Sequence, residues 1–524
     1  MISHAAPIFA LRRPSPASFG IRISGFGFRH SSFAPSSLPA RRGTVLIVTL
    51  WIVFVLAGLV LVFARSMRVE AYASANHVAS IQAACVERGA EQYLLALVDQ
   101  QKDSVLDLSE DLFAAVPVGN PAGAQPYGGY FWVVRPDYGD DQLPQFGLVD
   151  ESSKLNLNTA TQDMLWGLPT MPDELIPSII DWRDTDDDIT TGGAESEYYL
   201  SLPNPYYCKN GSLETVEEIL LIKGASRELL YGIYANRNFT ADAVVPSLPG
   251  QTRSQPSNAS RSPNLQGRSS LAPSAGFSSG SSAGSSAAND PTAFYGLWDY
   301  LTVYSVEPNN DASGQRRVNI GTGGNRQSLI SALQEALGSS RANQIASRVP
   351  NTLRYRDIFE FYTDARLTPD EFRQIADRLT TSSQANVRGL INVNTAPRQV
   401  LLCLGLGDSE ISKLISQRNS ANVDRTNIAW VLDALTSSSL PSGLGSRITA
   451  RAYQYTADIV AVSGNGRAFK RYRVVIDSRN SPPLIVYRRD LTDRGWPLDP
   501  QILASLRTTG SPLGSSSLVR RSAF

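Results

Sequence analysis

Between Arg42 and Arg65 no residue carries a charge. Residues 44–64 are mostly Val, Leu, Ile, Phe and Trp, and a helix of about twenty such residues crosses the hydrocarbon of a bilayer. Arg41 and Arg42 stand before the run, and no Asp or Glu occurs before Glu70. Basic residues on the near flank predict a cytoplasmic N-terminus and an exported bulk, an inference that Arg65 and Arg68 on the far side oppose. Apolar positions continue at helical spacing through Val69, Tyr72, Ala73, Val78, Ile81, Ala84, Cys85, Tyr93, Leu94 and Leu97. The pattern predicts one helix from Thr44 to about Gln100, roughly 85 Å long, half in the membrane and half packed on a soluble domain. A secretory signal peptide would have a shorter apolar core and a small-x-small cleavage site.

The 524 residues suffice for two or three domains. A formal net charge of zero gives no electrostatic reason to expect nucleic acid. The only histidines are His4, His30 and His77, two in the basic leader and one just past the apolar run. The exported region therefore lacks the imidazole of a Ser-His-Asp triad, a Cys-His pair or a His-ligated zinc. Cys85, Cys208 and Cys403 are too few and too scattered for a thiolate metal site. An oxidising compartment could join Cys208 to Cys403, but Cys403 lies in the run Val400-Leu401-Leu402-Cys403-Leu404 and reads as a small core residue.

Arg41-Arg42-Gly43 ahead of the uncharged helix resembles the start of type IV prepilins, whose peptidase cuts after such a glycine. The matching bond is Gly43–Thr44. Prepilins usually carry Glu at the fifth mature position, which here is Val48, and the leader of 43 residues is long for the family.

Past the helix, residues 129–134 and 146–149 read as two strands. Lys154-Leu155-Asn156-Leu157-Asn158-Thr159-Ala160 is nearly repeated as Leu390-Ile391-Asn392-Val393-Asn394-Thr395-Ala396. Each copy precedes two short amphipathic helices, with Asn or Thr offering an N-cap oxygen, and each closes on a similar helix start near Val216 or Ile428. Strand, helix, turn, helix resembles helix-hairpin-helix modules, some of which bind DNA through glycine N–H groups at the second helix. The first turn, Leu168-Pro169-Thr170-Met171-Pro172, has no glycine, and Asp408 and Glu410 follow Gly405-Leu406-Gly407 in the second. Both copies therefore read as packing modules. Residues 250–288, rich in Ser, Pro, Gly, Ala and Asn, read as a flexible loop. Residues 457–462, 471–476 and 484–488 predict a three-stranded meander that shares a sheet with the early strands on the N-terminal helix.

Residues 181–199 are the most chemically pointed segment. Asp184, Asp186 and Asp188 alternate, and Glu195 lies eleven residues after Asp184, the carboxylate spacing of a twelve-residue calcium loop. Ile189 stands where an EF-hand needs glycine, so the segment is not an EF-hand. Clustered carboxylates without His or Cys favour Ca²⁺ if they bind a metal; the plain alternative is a solvated acidic turn.

The glutamate-free prepilin-like start, the Asn-x-Asn-Thr-Ala repeats, Asp181-Trp182-Arg183-Asp184 with the later Gly193-Ala194-Glu195 and Tyr198-Tyr199, Asn210-Gly211 with Val216-Glu217-Glu218, and the terminal strands resemble general secretion pathway protein K of type II secretion systems. The resemblance runs from about Arg42 to Trp496, with the linker interrupting it. It implies an α+β fold: a pilin-like long N-terminal helix on a small antiparallel sheet, with a large inserted all-helical domain of helix-hairpin-helix-like repeats. It further implies a minor pseudopilin at the tip of the periplasmic pseudopilus, without catalysis. The implied partners are other minor pseudopilins, prepilin peptidase and the inner membrane, with no nucleic acid expected. Implied calcium ligands lie among Asp184, Asp186, Asp188, Glu195 and Glu197, and the implied location is the inner membrane, single-pass, with a periplasmic C-terminal domain. The expected layout is leader 1–43, membrane helix 44–64, helix and first strands 65–150, first repeat 151–245, linker 246–292, strand segments 293–322, second repeat 323–450, terminal strands 451–496 and a loose tail 497–524. A membrane-tethered helix-hairpin-helix DNA receptor is the alternative function.

Overall fold

The computed structural model describes residues 44–101, 110–119, 128–136, 146–232, 296–421, 423–436 and 440–512. The leader, Gly43 and the linker 246–292 lie outside the described residues. The chain divides into two compact units, Met1–Ala71 and Tyr72–Phe524.

Helix α1 runs Thr44–Gln101, as the unbroken helical spacing predicts. Among the described residues it is the one helix long and apolar enough to cross a membrane, and its most apolar stretch is exposed. Val48 lies in that exposed stretch.

In the second unit, the later part of α1 buries Val86, Ala90, Leu94, Leu97 and Val98 in a core with the sheet. The sheet has six strands: β1 (Val116–Val118), β2 (Gly129–Val134), β3 (Val149–Asp150), β4 (Gln454–Ser463), β5 (Phe469–Asp477) and β6 (Leu484–Asp490). Their order is β1-β2-β4-β5-β6, with β3 also paired to β4 and every pairing antiparallel. Early and late strands thus share one sheet. The second early strand is shorter than its apolar run suggests, because Phe146 makes only an isolated bridge to Val134 before Gly147 turns the chain at φ 144°.

Alternation along each strand separates two faces. Phe131 points at α1, where its ring meets Tyr93 at 5.5 Å. Trp132 points the other way and meets Trp496 at 6.0 Å. That second face is covered by α2 (Pro500–Thr509) with buried Leu498, Ile502 and Leu506. The expected loose tail is corrected here: past Pro497 the chain forms a capped helix, with Asp499 accepting from Gln501 N, because three apolar side chains at helical spacing have a sheet face to cover.

The insertion between β3 and β4 has a core of its own. It is not all-helical, since four two-stranded pairs lie within it among the described residues. Leu155–Asn156 pairs with Leu301–Thr302, Val306–Pro308 with Asn386–Arg388, Val318–Asn319 with Leu379–Thr380, and Ile391–Asn392 with Ile448–Thr449. Elements of two or three residues are too short to show a period of two, so the sequence pattern missed most of them. Buried carboxylates tie this insertion to the sheet. Asp150 accepts from Asn392 Nδ2 at 2.8 Å and Thr395 Oγ1 at 2.6 Å, and Glu151 accepts from Thr456 Oγ1 at 2.5 Å.

Candidate functional site

The site grows out of the repeat. In each copy the first Asn side chain turns back on its own loop: Asn156 Oδ1 accepts from Asn158 N at 2.9 Å, and Asn392 Oδ1 from Asn394 N at 3.0 Å. Each is followed by a short helix, a turn and a second helix: Gln162–Trp166 and Leu175–Arg183, then Arg398–Leu402 and Asp408–Arg418. An arginine at the end of the second helix returns to the loop. Arg183 donates to the carbonyls of Leu157 and Ala160, and Arg418 to those of Val393 and Ala396. Thr161 caps the first short helix, as expected for such a start; in the second copy Pro397 stands there and supplies no side-chain cap.

The copies differ after that arginine. The second reaches its closing 3₁₀ turn, Ile428–Trp430, ten residues after Arg418. The first reaches Val216–Leu221 only 33 residues after Arg183, and the extra chain is the acidic loop. Asp181, in the helix before it, is fully buried. Its Oδ1 accepts from Thr190 N at 3.2 Å, and its Oδ2 has no hydrogen-bond partner. Glu195 is 2% exposed, and neither of its carboxylate oxygens has a partner. Asp184 Oδ1 and Asn210 Oδ1 are likewise buried and unpartnered. Asn210 Nδ2 donates to the Asp186 carbonyl at 2.8 Å and Asp187 Oδ1 at 3.0 Å, closing the loop on itself.

Burial raises the Glu195 carboxyl above its ordinary range, and the charges of Asp181, Asp184 and Asp187 raise it further, while the Cys208 thiol opposes them. Burial also raises Asp184, with Asp186, Asp181 and Asp188 adding repulsion. Asp186, Asp188 and Glu197 are exposed. Of the carboxylates expected at a metal, the fold therefore buries Glu195 and one oxygen of Asp184 and leaves three in solvent. It adds Asp181 and Asn210, which the spacing of a calcium loop does not select; Asp181 sits one helical turn before Asp184, a signal for a shared face.

Five unpartnered oxygens, all acceptors, form the donor chemistry of a hard cation. As placed, no three His, Cys, Asp or Glu side chains among the described residues converge closely enough to hold one ion. The donor types fit calcium; a closed cage would need the loop to draw in.

The loop stands on an aromatic stack. Trp182 meets Tyr199 edge-on at 5.1 Å, and Tyr199 stacks on Tyr206 at 5.3 Å. Lys223 Nζ donates to the carbonyls of Gly192 and Gly193 at 3.3 and 3.1 Å. A Cβ on Gly193 would lie 2.0 Å from Asp181 Oδ2, so glycine lets the loop backbone close over that carboxylate. Cys208 and Cys403 are both buried and unpaired, so no bridge joins them.

Around the second turn, Gly407 caps the helix Asp408–Arg418, and Arg398 pairs with Asp408 at 2.6 Å. An arginine already paired beside two carboxylates is a poor phosphate site. Thr44 is the first residue of α1.

Residues 153–233, which hold the first repeat and the whole acidic loop, match the family model for type II secretion system (T2SS), protein K. The chain is also similar to a chain in the crystal structure of the GspK-GspI-GspJ complex from the enterotoxigenic Escherichia coli type 2 secretion system. That likeness has 10% identity and a TM-score of 0.37, over 81% of this chain and 99% of that one. No curated protein matches. The matched segment ends just past the short helix Arg227–Tyr231, so it takes in the aromatic stack and Asn210 as well as the carboxylates.

Proposed function

We propose that the chain is a minor pseudopilin of a type II secretion system that acts by assembly rather than catalysis. The observation that carries this reading is the match of residues 153–233 to the protein K model, in a chain whose α1 begins with an exposed apolar stretch. The polarity of the flanking arginines puts the N-terminus in the cytoplasm and the second unit in the periplasm. Prepilin peptidase cuts Gly43–Thr44, leaving Thr44 as the mature first residue. Val48 cannot pair with the terminal amine of a neighbouring subunit, so this subunit belongs at the tip, where it helps start the fibre with other minor pseudopilins.

In the same reading the acidic loop binds Ca²⁺. Asp181, Asp184, Glu195 and Asn210 would hold the ion, with Asp186, Asp188 and Glu197 as the solvent-side carboxylates. The cation supplies positive charge where Glu195 and Asp184 now repel each other. The repeats act as the rigid frame that positions this loop, not as DNA-binding hairpins.

The test is location and processing in cells that secrete. Labelled protein should appear at one end of the fibre, with a mature chain that starts at Thr44. Label along the whole fibre, or a mature terminus elsewhere, would sink the reading. Salt-dependent DNA binding by the full chain in detergent would instead favour a DNA receptor.

A further inference from the structure

The clamp between α1 and β6 carries a charge imbalance. Glu87 and Glu91 lie one turn apart on α1 and are 2% and 5% exposed. Both reach the same cation. Arg488 on β6 donates from Nε to Glu91 Oε1 at 2.6 Å, and from a terminal nitrogen to both Glu87 oxygens at 3.0 Å. The guanidinium lies over the Tyr472 ring of β5 at 4.0 Å. Two buried carboxylates thus share one arginine, which leaves one negative charge in excess. A buried charge without a counter-ion is relieved most cheaply by taking up a proton.

Among the described residues, the elements packed around the pair do not supply the missing positive charge. Phe131 and Val133 of β2 and Ala457 and Ile459 of β4 are apolar members of the same core. On β5, Tyr472 is held by Asp490 of β6, which adds negative charge, and Lys470 acts on Asp490. Arg88 on α1 is exposed, and Asp99 accepts from Ser481 further along.

We propose that Glu87 carries a proton in mild acid, and that with Glu91 and Arg488 it forms a latch that loosens α1 from the edge of the sheet when that proton leaves. Burial first, and the Glu91 carboxylate second, push the Glu87 carboxyl up to about 7. A carboxyl raised in the folded state contributes stability that is complete below its unfolded value, near 4.5, and is lost as pH rises through about 7. The seat of α1 on the sheet is therefore tighter in mild acid than in mild alkali.

The test uses the full chain in detergent micelles. With ¹³C-labelled glutamate, infrared difference spectra should show a protonated carboxyl band at about pH 6 that is gone by about pH 8.5 and is missing in Glu87→Gln. Melts of Glu87→Gln, whose side chain mimics the protonated acid, should match wild type at about pH 5 and exceed it by roughly 2–4 °C at about pH 8. Arg488→Gln should make the wild-type decline with pH steeper. The proposal is overturned if wild type shows no protonated glutamate band at about pH 6, or if the Glu87→Gln and wild-type melting curves stay parallel across the range. The infrared result stands even where a variant folds poorly, because it is read first on wild type.

Discussion

A Cβ added to Gly167 would lie 2.7 Å from the Cα of Cys403. The two positions are equivalent: 236 residues separate them, as they separate Leu155 from Ile391 and Ala160 from Ala396. The repeats thus meet at the same point of each copy, backbone against backbone. In sequence this contact is invisible, because Gly167 reads as a turn residue and Cys403 as a small core residue, and neither names the other.

Gly167→Ala should therefore destabilise the insertion. The obstacle is backbone, not a flexible side chain, so the cost should reach about 1–3 kcal/mol. Denaturant melts of the full chain measure it. A neutral result would mean the copies are not packed at this distance.

Asp150 joins the sheet to the second repeat. It accepts from Ser152 N at 2.7 Å, Asn392 Nδ2 at 2.8 Å and Thr395 Oγ1 at 2.6 Å. Burial nonetheless raises its carboxyl to about 6, since the hydrogen bonds only partly offset the lost hydration. A raised carboxyl gives stability that is present below the unfolded value, near 3.8, and lost as pH rises through about 6. Asn394→Ala should leave that step in place. Asn392→Ala removes a donor to the charged form and should enlarge the step, by about 1 kcal/mol. Paired melts between about pH 4 and pH 7 check both outcomes.

The calcium reading predicts a shift that the metal alone produces. Saturating Ca²⁺ should stabilise the full chain by about 2–3 kcal/mol, and a chelator should reverse it. Glu195→Gln should weaken that response and raise the melting point without metal, because it removes a buried repelling charge. An identical melting point with and without Ca²⁺ would leave the segment as a solvated turn.

The acidic loop is extra chain in an otherwise repeated unit. Replacing residues 184–214 by 419–426, the corresponding link of the second copy, should preserve the helices and the Arg183 bonds to Leu157 and Ala160. Any calcium response should vanish. Circular dichroism with calcium titration separates the two effects; loss of the fold would show that the loop is structural.

Much of this was legible in the sequence because it rests on period and composition. The long helix and the strands follow from apolar spacing, and the Asn-x-Asn-Thr-Ala repeats from residue identity. The C-terminal helix is hard to read because Pro497 and Pro500 stand just ahead of Ile502 and Leu506, and proline both breaks helices and starts them. Short parallel pairs such as Leu155–Asn156 with Leu301–Thr302 carry no local signal, since the partner lies far along the chain. At the acidic loop, counting carboxylates marks a segment and nothing finer. It could not tell buried Asp181 and Glu195 from solvated Asp188 and Glu197, because that depends on Tyr199 and Gly193 packing behind them.

The central claim is assembly with other pseudopilins, and copurification from native membranes tests it most directly. The full chain, captured from gently solubilised membranes of cells that secrete, should bring down small proteins that each carry an N-terminal apolar helix. Their yield should fall when α1 is replaced by an unrelated membrane helix. Recovery of the chain alone, or with nucleic acid in place of such proteins, would contradict the account.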